Sequence, residues 1–139
     1  MKKLILLLLF IPLVSCQNGE VRKTYYESGE LESTENYVKF SKQGQARIYY
    51  ETGEIAYTVS YIDDLRQGYG IQYHLSGEIL QVTGFIDDLS QGAYTAYYKN
   101  GEIMKIGNYV DGLRQGEVKW YGVDGQFLKT ENYVDDVKQ

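Results

Sequence analysis

The sequence predicts an all-β protein, an elongated single antiparallel sheet of about ten strands built from five β-hairpin repeats of 24 residues. Three observations carry that expectation. Shifting the chain by 24 residues aligns Tyr25, Tyr49, Tyr73, Tyr97 and Tyr121, and likewise Gly29, Gly53, Gly77, Gly101 and Gly125, without an insertion. Around these glycines lie runs rich in aromatic and β-branched residues, such as ARIYYE (46–51) and IAYTVSYI (55–62), which suit a pleated surface. The 3.6-residue pattern of a helix is absent, and the one proline, Pro12, precedes the repeats.

In chain order, residues 1–15 read as a lipoprotein signal peptide. Lys2 and Lys3 precede the apolar run LILLLLFIPLV, which is too short and too near the start for an ordinary spanning helix. The run ends in LVSC, which resembles the bacterial lipobox, whose cysteine is lipidated and becomes the first mature residue. That resemblance implies lipidation at Cys16 and an anchored protein of the bacterial cell envelope, outside the cytoplasm. A plain secretory signal and a spanning anchor are the other readings. Residues 16–20 are a short tether. Cys16 is the only cysteine, so no intrachain disulfide supports the fold. Removing residues 1–15 takes away two lysines and no acid, moving the net charge from −5 to −7. An acidic body without a Lys/Arg cluster argues against nucleic acid as a partner.

The units that follow are 21–44, 45–68, 69–92, 93–116 and 117–139. Each reads as two strands joined by a two-residue loop at TG, SG, NG or DG, dipeptides that tolerate positive φ. On that assumption Tyr50 faces Ile55 and Tyr49 faces Ala56. Tyr50, Ile55 and Tyr61 then share one surface, and Tyr49, Ile62 and positions such as Leu80 the other. The segments YIDDLRQG (61–68), FIDDLSQG (85–92) and YVDGLRQG (109–116) are the return turns between hairpins, with Asp63, Asp87, Asp111 and Asp135 bonding the turn backbone. Unit one has YVKFSKQG instead, and the last turn, at 135–136, has no strand to lead into. Ten strands at ~4.8 Å would span about 48 Å.

The pattern YYxxGEI followed by YxDxLxQG resembles the MORN repeat in its bacterial variant and is similar to the repeat of the YwqK-type antitoxin family. The resemblance covers residues 21–139. It implies a modular sheet serving as a scaffold, a lipid-associated module or an antitoxin; fold alone does not choose among them.

Few residues invite chemistry. His74, the only histidine, stands in the column of Tyr26, Tyr50 and Tyr98, and reads as a sheet residue. No serine is marked as an activated nucleophile, and five copies of one surface are unlike a unique catalytic constellation, so no enzyme and no cofactor are expected. The Asp pairs 63–64, 87–88 and 135–136 invite calcium, but Asp111 is followed by Gly112 and unit one has Lys39 and Phe40, so solvated turns are the better reading and no metal is expected. Fifteen tyrosines and Trp120 are the richest feature. Most pack the sheet; Tyr50, Tyr61, Tyr98 and Trp120 are candidate binding residues. The expectation is a lipid-anchored, non-enzymatic scaffold for a protein partner. The alternatives are an antitoxin or immunity protein occluding an exported or incoming toxin, and a reader of cell-wall or surface glycans through the aromatic columns.

Overall fold

The computed structural model describes residues 19–139; Cys16 and the leader lie outside them. The chain forms one open antiparallel sheet. In order, the strands are β1 (Gly19–Tyr25), β2 (Leu31–Val38), β3 (Ser41–Lys42), β4 (Gly44–Tyr49), β5 (Ile55–Ile62), β6 (Leu65–Tyr73) and β7 (Ile79–Ile86). They continue as β8 (Leu89–Tyr97), β9 (Ile103–Val110), β10 (Leu113–Arg114), β11 (Gly116–Tyr121), β12 (Phe127–Val134) and β13 (Val137–Lys138). Spatial order follows chain order, with β3 beside β2 and β10 beside β9.

Among the described residues, thirteen strands replace about ten for local reasons. The strands after the first and fourth return turns break at Gln43 and Gln115, whose N–H groups bond Asn36 and Asn108. The chain end adds β13, so the last turn does lead into a strand, with Val137 opposite Val134 and Lys138 opposite Tyr133. β1 starts two residues inside the stretch read as tether, because Gly19 and Glu20 lie opposite Val38 and Tyr37.

The two kinds of turn differ from the expected assignment. At the TG-type turns the loop has three residues, not two. Tyr50 N–H donates to the Glu54 carbonyl and Gly53 N–H to the Tyr50 carbonyl, while Gly53 adopts φ 98°. This is a type I turn closed by a left-handed residue, and glycine takes that conformation without a Cβ clash. Tyr49 therefore faces Ile55, and Ile48 faces Tyr57, across a bulge. The expected Tyr50–Ile55 and Tyr49–Ala56 pairs do not form. The two-residue loops are the return turns instead. Ile62 pairs with Leu65 around Asp63 and Asp64, both at positive φ (49° and 70°).

Alternation then gives the faces opposite characters. Among the described residues, all seven buried apolar side chains (Ala46, Val59, Phe85, Tyr94, Ala96, Val118 and Tyr133) fall on one face, here the ring face. Small residues make room for rings there. A Cβ on Gly107 would sit 2.6–2.7 Å from two ring carbons and the hydroxyl of Tyr94, which is buried. With a single layer, stability comes mainly from contacts between neighbouring units.

Candidate functional site

The ring face carries the column Tyr37, Tyr61, Phe85, Tyr109 and Tyr133, and four of these five rings are covered by the protein's own cations. Arg66 lies 4.4 Å from the Phe85 ring centre, Arg114 4.3 Å from Tyr133, Lys42 5.1 Å from Tyr61 and Arg22 3.9 Å from Tyr37. Tyr109 has Ser90 in the place of that cation and packs instead against Tyr94, the rings tilted by 42° with centres 4.8 Å apart. Burial pushes the Tyr94 hydroxyl up to about 12, so it stays protonated.

The four candidate aromatic residues are not brought together. Tyr50 and Tyr98 are struts between units: their hydroxyls donate to the carbonyls of Tyr73 and Tyr121 at 2.6 and 2.9 Å, and Tyr26 does the same to Tyr49. His74 holds this column in unit three, and its enclosed Nε2 has no hydrogen-bond partner. Tyr61 and Trp120 share the ring face, five strand steps or ~24 Å apart. Trp120 lies between Lys105 (5.1 Å) and Lys129 (5.4 Å) and donates through Nε1 to Glu131. Glu131 also accepts from Lys129, Lys138 and Tyr133, and the two lysines chiefly hold its carboxyl down at about 2.

Along the return turns runs a ladder. Arg66 clasps the Asp88 side chain and carbonyl, and Asp88 also accepts the Arg66 backbone N–H; Arg114 and Asp136 repeat the arrangement. Asp64 accepts the Lys42 N–H. These bonds lower the Asp88 and Asp136 carboxyl pKa values. Between units three and four, Gly112 stands in place of the acid and Ser90 in place of the cation, and the backbone bond between them remains. The signal was available in the sequence: positions 22 apart read Lys–Asp, Arg–Asp, Ser–Gly and Arg–Asp.

The opposite face holds what sequence reasoning missed. Ile62 and Leu65, Ile86 and Leu89, Val110 and Leu113, and Val134 and Val137 pair across successive return turns. All eight are 40–63% exposed. They form a double aliphatic column on four units, beside the turn tips Asp63, Asp87, Asp111 and Asp135. Their recurrence is plain in YIDDL, FIDDL, YVDGL and YVDDV, but inside an assigned turn it reads as connection rather than surface. Next to the column lies a groove of about 510 Å³ lined by Tyr69, Val82, Gly84, Ile86, Ala93 and Tyr97 among others. It breaks the repeat: Tyr69 stands where other units have Val, Gln, Ala or Glu, and Gly84 where they have Asn or Ser. Among the described residues, no three His, Cys, Asp or Glu side chains gather as a metal site.

Residues 21–39, 42–63 and 90–111 match the family model described as MORN repeat variant. Those three stretches are MORN repeats. No curated protein matches it. Among solved structures, one similar to it is "Crystal structure of GtfA/B complex bound to UDP and GlcNAc", at 15% identity and a TM-score of 0.30. That match covers 83% of this chain and 24% of the other, so the MORN sheet spans about a quarter of that chain.

Proposed function

We propose that this MORN-repeat sheet is a non-enzymatic scaffold that binds a protein partner, held at the envelope by a lipid on Cys16. The observation that carries the reading is the exposed aliphatic double column. Scattered surface aliphatics are ordinary, but contiguous apolar patches on soluble proteins mark interaction sites. Repetition extends the patch along the sheet, as in other repeat proteins that bind through long surfaces. The cations over the aromatic column favour a protein over a glycan, since a sugar ring would have to displace them before stacking. Lipid attachment rests on LVSC and the leader that precedes it.

The test is an affinity capture from detergent-solubilised envelope, comparing the full-length protein with a variant carrying Ile86→Ser and Leu89→Ser. A protein retained by the first and lost by the second supports the reading. Equal capture by both, or retention on purified wall glycan alone, overturns it. For the anchor, Cys16→Ala is expected to abolish lipidation and partitioning into detergent; a wild-type protein that stays wholly aqueous excludes it.

A further inference from the structure

The aliphatic column has a repeat distance, and that distance discriminates between kinds of partner. Successive rows are two strands apart, or ~9.6 Å. An extended strand laid along the column advances ~3.3 Å per residue, so each row would meet every third side chain. Three is odd, and neighbouring rows would meet opposite faces of that strand. An α-helix advances ~10.5 Å in seven residues, close to two turns, and returns the same face to each row. Over the three intervals between four rows the mismatch sums to ~3 Å, within the reach of flexible aliphatic side chains. The paired residues of each row make the seat two side chains wide.

Charge narrows the partner further. Asp63, Asp87, Asp111 and Asp135 stand at the turn tips beside the column. The contacts of Asp63 and Asp87 are the neutral side chains Gln43 and Gln67, whereas Asp88 and Asp136 are held by arginines on the ring face. A helix with basic flanks complements this row, and an anionic lipid surface is repelled by it.

Four similar rows alone would let a helix slip by one row. The Tyr69–Gly84 pair occurs in one unit only, and the groove it lines supplies the register. Gly84, buried against the Gln91 carbonyl, lies in the lining of the groove, and Tyr69, 69% exposed, forms one wall. We propose that the column formed by Ile62/Leu65, Ile86/Leu89, Val110/Leu113 and Val134/Val137 seats a basic amphipathic helix with aliphatic residues every seven positions, fixed in register by one aromatic anchor in the Tyr69–Gly84 groove. This rests on the protein-binding reading above and names the partner's chemistry.

The probe is a synthetic 25-residue peptide with leucines in heptad positions, lysines on the flanks and one central Trp, titrated by fluorescence polarisation against the full chain. Controls are a scramble of the same composition and a version with Glu for Lys. Binding by the heptad peptide at least tenfold tighter than by either control is expected. Ile86→Ser with Leu89→Ser should weaken it tenfold or more, with the thermal melt unchanged. Tyr69→Ala should weaken the Trp peptide but not its Trp→Ala counterpart. Equal binding of the scramble, indifference to the column variants, or no binding of any peptide overturns the proposal. So does preference for anionic phospholipid vesicles over the peptide, which assigns the column to a lipid surface, or column-dependent self-association in sedimentation. The envelope capture separates the two levels: a partner still lost by the column variant while the peptides fail leaves the scaffold standing without the helix.

Discussion

His74 shows how one residue departs from the repeat at a cost that can be measured. Its column is otherwise Tyr, Tyr, Tyr and Gly, and the tyrosines each bond a carbonyl one unit on. The imidazole places an enclosed nitrogen without a partner in that position. His74→Tyr is therefore expected to restore the strut to the Tyr97 carbonyl and to stabilise the protein by about 1 kcal/mol, the net worth of a typical hydrogen bond. Tyr98→Phe should cost a similar amount, and thermal melts of both variants check the pair. Gly107 makes the opposite case. Its added Cβ would meet the ring of Tyr94, which is buried and packed against Tyr109, so the ring has little room to yield. Gly107→Ala should destabilise by ~1–3 kcal/mol. Adding Tyr94→Leu should recover part of that loss, because the two residues share one space. A purely additive result in urea titrations counts against this packing account.

At the scale of the element, the return turns hold their neighbours through charge. The third rung has Ser90 and Gly112 in place of the charged partners. Installing them together, as Ser90→Arg with Gly112→Asp, should give a coupling of ~0.2–1 kcal/mol beyond the sum of the singles, the usual range for exposed ion pairs. Gly112 already has φ 86°, and Asp64 and Asp136 occupy similar conformations, so the backbone accepts the change. A double-mutant cycle without coupling excludes the rung. Acid tests the last strands. The Glu131 carboxyl lies at about 2 against an ordinary 4.5, because Lys129 and Lys138 bond its charged form. A lowered pKa means that the unfolded chain binds the proton more readily. The contribution is then complete above about pH 4.5 and is lost as pH falls toward 2. Asp88 and Asp136 shift in the same direction. The urea midpoint should decline through this window, and Glu131→Gln should flatten the decline. An unchanged slope would count against the ion-pair assignment.

Over the whole molecule, the units should be removable, but not equally. Deleting 45–68 brings Asp88 opposite the Lys42 N–H, Asp87 opposite Gln43 and the Tyr73 carbonyl opposite Tyr26, so each kind of contact survives. Deleting 69–92 sets Arg66 against Gly112 and puts Tyr94 where Gly70 now clears the Tyr57 ring. Both variants should remain folded by circular dichroism, in keeping with nearest-neighbour stability. The 45–68 deletion should melt at the higher temperature. A 12-residue deletion of 57–68 leaves an unmatched strand and should unfold. Equal collapse of all three sinks the modular account; a more stable 69–92 deletion sinks the specific contacts.

The fold class, the period and the alternation of two turn types were determined by the sequence itself, because hairpins form between neighbours and the repeat writes each one out again. Register and surface were not legible in the same way. Whether TG closes a loop of two or three residues depends on a left-handed glycine, and the one-residue difference moves Tyr50 from the sheet onto a carbonyl of the next unit. The Ser90–Gly112 pair was visible as letters, but its meaning waits on turns stacking 22 residues apart. Ile62 and Leu65 look alike whether buried or exposed. Only the packing of the ring face, with cations over its aromatics and every buried apolar side chain beneath them, leaves the aliphatic column outside. A single-layer sheet has two faces and one core, and long-range packing decides which face receives it.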